Sequence, residues 1–209
     1  MSRIGIKLDG VLIDKAKFQQ VYGAKFFQEH KKSKNNIQPS IQPCVSSFRA
    51  MFACTKEDCD RFWKKYYRKY CTSAECEQDA RDVIDELRNQ GNEIFLVVTR
   101  KQLLENGIRG KVNEFWLDCW LRNNKIYCDG VIYCDNEQVK NACHDFMIDI
   151  FVEDIRNDAL FLSDEISKVL LFDRPYNRGM QAISGIERVE GFKGVYENIS
   201  DSYKTKGLK

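Results

Sequence analysis

From Ala80 onward the chain alternates short apolar runs with amphipathic stretches, and this alternation restricts the fold more than any other feature. The apolar runs are "EIFLVV", "DGVIYCD", "MIDIFVED" and "SKVLLFD"; between them lie "GKVNEFWLDCWLRNNK", "NEQVKNACHDF" and "IRNDALFLSD", and "ARDVIDELRN" precedes the first. Strands that alternate with helices imply βαβ units, a mostly parallel sheet and helices on both of its faces. Such strands are buried on both sides, so they read as unbroken apolar runs, as "IFLVV" and "KVLLF" do. An earlier strand, Arg3 to Leu8 in "RIGIKLDGVLID", joins them.

Residues 15–78 do not follow this rhythm. Phe18, Val21, Tyr22 and Phe26 recur at helical spacing, "KNNIQPSIQP" (Lys34 to Pro43) reads as a loop, and Thr55 with Asp58 forms a capping signal before a second helix. That helix carries an aromatic stripe, Phe62, Trp63, Tyr66, Tyr67 and Tyr70, of the kind that packs one helix on another. We therefore expect a core of residues 1–14 and 79–209 with a helical insertion at 15–78. The tail from Gly179 is expected to be weakly ordered or to wrap the surface.

Lys and Arg number 33 against 31 Asp and Glu, a net charge of +2, which supplies no whole-protein field for nucleic acid or an anionic membrane. The local basic run His30 to Lys34 reads as a solvated face. Charges at Lys7 and Asp9 argue against a signal peptide, and no apolar run reaches membrane-spanning length, so a cytoplasmic protein is expected. Nine cysteines are present. "CTKEDC" and "CTSAEC" are C-x4-C pairs rather than the C-x2-C of tetrahedral zinc sites, and reduced, partly buried thiols are the expectation.

In an open parallel sheet, ligands bind beyond the carboxyl ends of the strands. The first strand delivers Lys7 and Asp9 there, the second Thr99, Arg100 and Lys101, the fourth Glu153 and Asp154, with Lys140 between the third and fourth. Carboxylates suit a hard cation; a hydroxyl and a lysine suit phosphate oxygens.

In "IKLDGVL", "IFLVVT", Lys140 and "FVED" the chain resembles the four motifs of the haloacid dehalogenase (HAD) superfamily of phosphohydrolases. "DIFVEDIRNDALFLS" and "VLLFDRPYN" resemble its 5′-nucleotidase-like, deoxyribonucleotidase-related branch. The resemblance implies an α/β fold: a Rossmann-like HAD core with a parallel sheet and a helical C1-type cap inserted after strand 1. It implies a small phosphomonoester substrate, of which a nucleoside monophosphate is one candidate, and Mg2+ held by Asp154 and the Asp9 backbone, with Glu153 beside them. The general acid/base falls on Asp9, and the phosphate contacts fall on Thr99 and Lys140. Arg100 stands one position out of register, in "TRK" where "TAR" is usual. Pro175 and Tyr176 are expected to shape a loop near the site. Phe26, Phe27, Phe48 and Phe52 are candidates either to line a substrate pocket or to pack the cap's helices.

The nucleophilic aspartate of the pattern falls on Lys7. An ammonium has no lone pair with which to attack phosphorus, and it repels a divalent cation. Three explanations are open from the sequence: a natural replacement in a pseudoenzyme whose ammonium neutralises Asp9 and Asp154, a trapping substitution or sequence error in a working phosphatase, or a shifted register. Two functions follow: a nucleotidase-like hydrolase scaffold with impaired or lost activity, or a non-catalytic module that binds a phosphorylated ligand.

Overall fold

The structure, a computed structural model, describes residues 1–30, 45–105, 107–178 and 185–206. The loop expected at Lys34 to Pro43 and the lysines of the basic run His30 to Lys34 lie outside the described residues. The strands are β1 (Arg3–Lys7), β2 (Glu93–Val98), β3 (Gly130–Tyr133), β4 (Ile150–Glu153), β5 (Lys168–Phe172) and β6 (Ile186–Val189). They form one sheet in the order β3-β2-β1-β4-β5-β6, with every pairing parallel. The helices are α1 (Lys15–His30), α2 (Phe48–Phe52), α3 (Lys56–Ser73), α4 (Ala80–Asn89), α5 (Ile108–Asn124), α6 (Val139–Asp145), α7 (Arg156–Ser163) and α8 (Gly191–Lys206).

Both faces of the sheet are covered, which explains the unbroken apolar runs. Ile4, Ile6, Leu96, Val98, Val152, Leu170 and Phe172 belong to one buried cluster, together with Leu87 of α4, Trp120 of α5 and Val195 of α8. Their sequence neighbours Phe95, Val97, Phe151, Val169 and Leu171 point the other way, into a second cluster with Cys143 of α6 and Leu162 of α7.

The described part of the tail corrects the expectation for residues beyond Gly179. Ile186–Val189 adds an edge strand to β5, and α8 packs back on the sheet with Phe192, Val195 and Ile199 fully buried. "IERV" is short and half polar, as an edge strand can be, and so carries little sequence signal.

Helices α1 to α3 lie between β1 and α4. Thr55 caps α3 in a reciprocal capping box with Asp58. Phe26, Phe48, Phe52 and Phe62 are buried on one another, and Phe48 stacks on Phe62 with centroids 4.0 Å apart. These phenylalanines mainly pack helices together. Where the insertion closes, Glu77 N–H donates to Leu12 O at 2.9 Å and Ile13 bridges Cys76, so its two ends meet beside the loop that follows β1. The buried indole of Trp120 donates to Ala74 O at 2.7 Å, tying α5 to the same junction.

Candidate functional site

Parallel register places the acids and bases side by side. Ile6 pairs with Val152, so Lys7 and Glu153, each one residue further on, emerge next to each other at the carboxyl end of β1 and β4. Lys7 pairs with Val97 on its other side, which sets Thr99 level with Asp9. Around these ends lies a crevice of about 800 Å³. Lys7, Asp9, Thr99 and Asp154 line its floor; Lys15 and Gln19 of α1, Ser47 and Arg49 at α2, and Trp63 of α3 line its walls.

Gly10 makes the floor possible. Its φ is +100°, and a Cβ there would lie 2.1 Å from Asp154 Oδ2. Arg174, buried in "FDRPYN", clamps the same turn: Nε donates to Gly10 O at 2.7 Å and Nη2 to Val11 O at 3.1 Å and Glu77 at 2.7 Å. Asn177 donates to the Asp154 carbonyl at 2.8 Å, and the Tyr176 hydroxyl donates to Asp154 Oδ2. The motif signalled a loop near the site; Arg174 and Asn177 as its fasteners did not emerge from the sequence.

Lys7 is 8% exposed. Its ammonium donates to Glu153 Oε1, stands 3.2 Å from Asp154 Oδ1 and lies 3.6 Å from Asp158 Oδ2. Burial on its own would lower the ammonium's pKa; Glu153, Asp154 and Asp158 outweigh that and raise it, so Lys7 stays charged. Burial pushes the Glu153 carboxyl up to about 8, with Lys7 pulling it back only in part and Asp154 adding to the rise. Glu153 Oε1 also accepts the backbone N–H groups of Asp154 (2.8 Å) and Ile155 (2.9 Å), and three donors on one oxygen favour the carboxylate.

Asp9 has a different partner. Arg100 Nη2 lies 2.5 Å from Asp9 Oδ1 and its Nε 3.1 Å from Oδ2, while the buried Tyr70 hydroxyl donates to Oδ1 at 2.7 Å. Burial would raise the Asp9 carboxyl, but Arg100, then Lys15 and the Tyr70 hydroxyl hold it down to about 2. The Arg100 guanidinium, 5% exposed, also lies 4.6 Å from the Tyr70 ring. Arg100 therefore spends Nε and Nη2 on Asp9, and its Nη1 donates to Cys71 Sγ at 3.5 Å. Two members of the aromatic stripe exceed the packing role expected of them: Tyr70 bonds Asp9 and Trp63 lines the crevice.

Lys140 is not brought to this crevice. It sits on α6, where Nζ binds Glu165 at 2.8 Å and lies over the Phe161 ring at 4.6 Å. Its neighbour Val139 is turned into the core beneath the sheet, which directs Lys140 toward α7. Gln19 was not anticipated: it is 3% exposed, and among the described residues its Oε1 has no hydrogen-bond partner. Cys54 and Cys59 also face the crevice; burial pushes the Cys54 thiol up to about 11, which leaves it protonated and unreactive. Every described cysteine is free, and among the described residues no three His, Cys, Asp or Glu side chains are grouped to hold a metal ion.

A divalent cation does not fit this donor set. The Lys7 ammonium stands among the very carboxylates that would ligate it, both Asp9 oxygens accept from Arg100, and Asp154 Oδ2 accepts from Tyr176. Adding Mg2+ beside a buried ammonium brings like charges together in a poorly screened site.

No protein-family model matches the chain. A nucleotidase of Clostridium acetobutylicum is 30% identical over 122 residues, 58% of this chain and 58% of that protein, so the match spans little more than half of the nucleotidase's length. Among solved structures, a predicted phosphatase of Clostridium acetobutylicum superposes with a TM-score of 0.59 at 13% identity, covering 96% of this chain and 98% of that one. A HAD-superfamily hydrolase of Geobacter sulfurreducens gives 0.55 at 16% identity, covering 95% and 96%. The D,D-heptose 1,7-bisphosphate phosphatase of B. bronchiseptica, solved with magnesium and phosphate, gives 0.54 at 11%, covering 97% and 99%. Likeness at such low identity speaks to architecture, and the architecture of this chain is the α/β fold of the haloacid dehalogenase-like hydrolases.

Proposed function

We propose that this chain binds a small phosphomonoester, in the size range of a nucleoside monophosphate, on a nucleotidase-like scaffold and hydrolyses it feebly or not at all. The observation that carries this reading is the Lys7 ammonium seated between Glu153 and Asp154. A nucleophile is required at that strand end for a covalent phospho-enzyme, and a charged lysine offers no electron pair. Asp9 compounds the loss. A carboxyl held down to about 2 carries no proton at neutral pH, so it has none to give a leaving alcohol.

What remains is suited to binding. Lys7, Lys15 and Arg49 give the crevice three cations, Thr99 adds a hydroxyl, and Phe48 and Trp63 give an aromatic wall for the organic part of the ligand. In this reading α1 to α3 act as the cap, residues 15–78, over a core of 1–14 and 79–209. The matched nucleotidase supports the choice of ligand class.

Hydrolysis of nitrophenyl phosphate and of a nucleoside monophosphate panel, with Mg2+ supplied, tests the reading. Turnover is expected to fall short of a working phosphatase by roughly the several orders of magnitude that loss of a catalytic nucleophile costs. Brisk hydrolysis by the unaltered chain, lost in Thr99→Ala, overturns it.

A further inference from the structure

We infer that the Lys7 ammonium is the resident cation of the crevice floor, taking the place of a divalent metal ion both as counter-charge to Glu153 and Asp154 and as a grip on a ligand's oxyanion. The second role rests on the phosphomonoester reading above; the first stands without it.

Charge balance is the first argument. Glu153 and Asp154 are buried carboxylates of the floor and Asp9 is a nearly buried one; Lys7, Arg100 and Lys15 are the cations beside them, with Lys15 3.9 Å from Asp9. Arg100 and Lys15 both serve Asp9, and Lys7 is the cation that Glu153 and Asp154 share, with Asp158 at its outer edge. Buried carboxylates must be paired or coordinate a metal, and here an ammonium already holds the place between the two acids.

Geometry is the second. Asp154 Oδ1 is buried and accepts no formal hydrogen bond, and the charge 3.2 Å away on Lys7 is what compensates it. An ammonium carries three N–H donors. Glu153 takes one and Asp154 lies near a second. Asp158, at 3.6 Å and half exposed, is too long for a hydrogen bond, and Lys7 itself lines the crevice. That leaves an N–H unclaimed on a side chain that lines the space a ligand would fill. Thr99 and Lys15 stand on the same lining, so an oxyanion entering there meets a donor from β1, a hydroxyl from the end of β2 and a second ammonium from α1.

The test uses the full chain, Mn2+ as metal probe and inorganic phosphate as anion probe. Electron paramagnetic resonance titration of the unaltered chain is expected to show no Mn2+ site tighter than about 1 mM, a free energy of about −4 kcal/mol. Phosphate affinity by calorimetry is expected to agree within about twofold in EDTA and in Mg2+, and to weaken at least about tenfold, about 1.4 kcal/mol, in Lys7→Met. Lys7→Asp is expected to acquire a Mn2+ signal. A tight Mn2+ site in the unaltered chain, or phosphate binding that vanishes in EDTA, overturns the inference whether or not either variant folds. If neither Mn2+ nor phosphate binds, the metal-free floor is upheld and the phosphomonoester reading falls.

Discussion

Asp9 and Glu153 stand at the ends of neighbouring strands, Glu153 buried and Asp9 nearly so, and are neutralised in different ways. Asp9 meets a guanidinium whose planar fork reaches both of its oxygens, with a phenol closing the third side. Glu153 meets an ammonium on a single oxygen that two backbone N–H groups also share. An arginine fork fixes geometry and stays charged; an ammonium is a point charge on a flexible stem. Asp9 is thereby committed to the ionised form, whereas Glu153, pushed up by burial, keeps protonation as a fallback should its partner be lost. Asp9 and Glu153 thus rely on different cations, Arg100 and Lys7, the latter shared with Asp154.

The largest effect is expected where the fallback is missing. Arg100→Met leaves Asp9 with only the Tyr70 hydroxyl and the more distant Lys15, and removing one partner of such a pair costs about 3 kcal/mol. Lys7→Met should cost less, about 2 kcal/mol, because Glu153 can take up a proton and retains its backbone donors. Urea denaturation at neutral pH ranks the two. The Lys7→Met chain should also lose stability as pH rises, since a neutral Glu153 must then ionise without a partner. If the two variants cost the same, or the order is reversed, the contrast between the two acids is broken.

A pH series on the unaltered chain sharpens the same contrast. The Asp9 carboxyl is held down to about 2 in the folded chain, against 3.8 for an ordinary aspartate. The unfolded chain therefore binds a proton more readily between those values. Stability from this group is complete above about pH 4 and drains away as pH falls toward 2, on the order of 2 kcal/mol in all. Asp9→Asn should flatten that part of the stability curve. A curve equally steep in both chains assigns the acid sensitivity to other carboxylates.

The sequence revealed what the sheet dictates and concealed what side-chain reach decides. Lys7, Asp9, Thr99 and Asp154 converge because strand ends in a parallel sheet lie along one rim, and their order in the chain is enough to place them there. Lys140 was grouped with them by its place between the third and fourth strands and by the family resemblance. It belongs to a helix, where a turn of about 100° per residue separates a buried Val139 from a side chain that finds Glu165 and Phe161 instead. Arg100 was legible as a basic residue after β2, but its inward turn depends on Tyr70 and Asp9, 30 and 91 residues away. Arg174 likewise acts across more than 160 residues on backbone carbonyls, which leave no mark in composition or periodicity. β6 escaped because it is short and half polar, whereas Phe192, Val195, Tyr196 and Ile199 of α8 do recur at helical spacing, a signal passed over in a polar tail.

Gln19 is the counter-case to both acids, and the smallest effect is expected there. It is buried at the crevice wall, yet among the described residues its Oε1 has no hydrogen-bond partner. An unpaired buried oxygen costs about 1–3 kcal/mol, and an apolar side chain of similar volume removes that cost. Gln19→Leu should therefore stabilise the ligand-free chain by about 1 kcal/mol, raising Tm by roughly 3 °C in a chain of this size. Scanning calorimetry without ligand reads it directly. A fall in Tm would mean that the oxygen is hydrogen-bonded in solution, and that the wall, like the floor, leaves none of its buried polar groups unmatched.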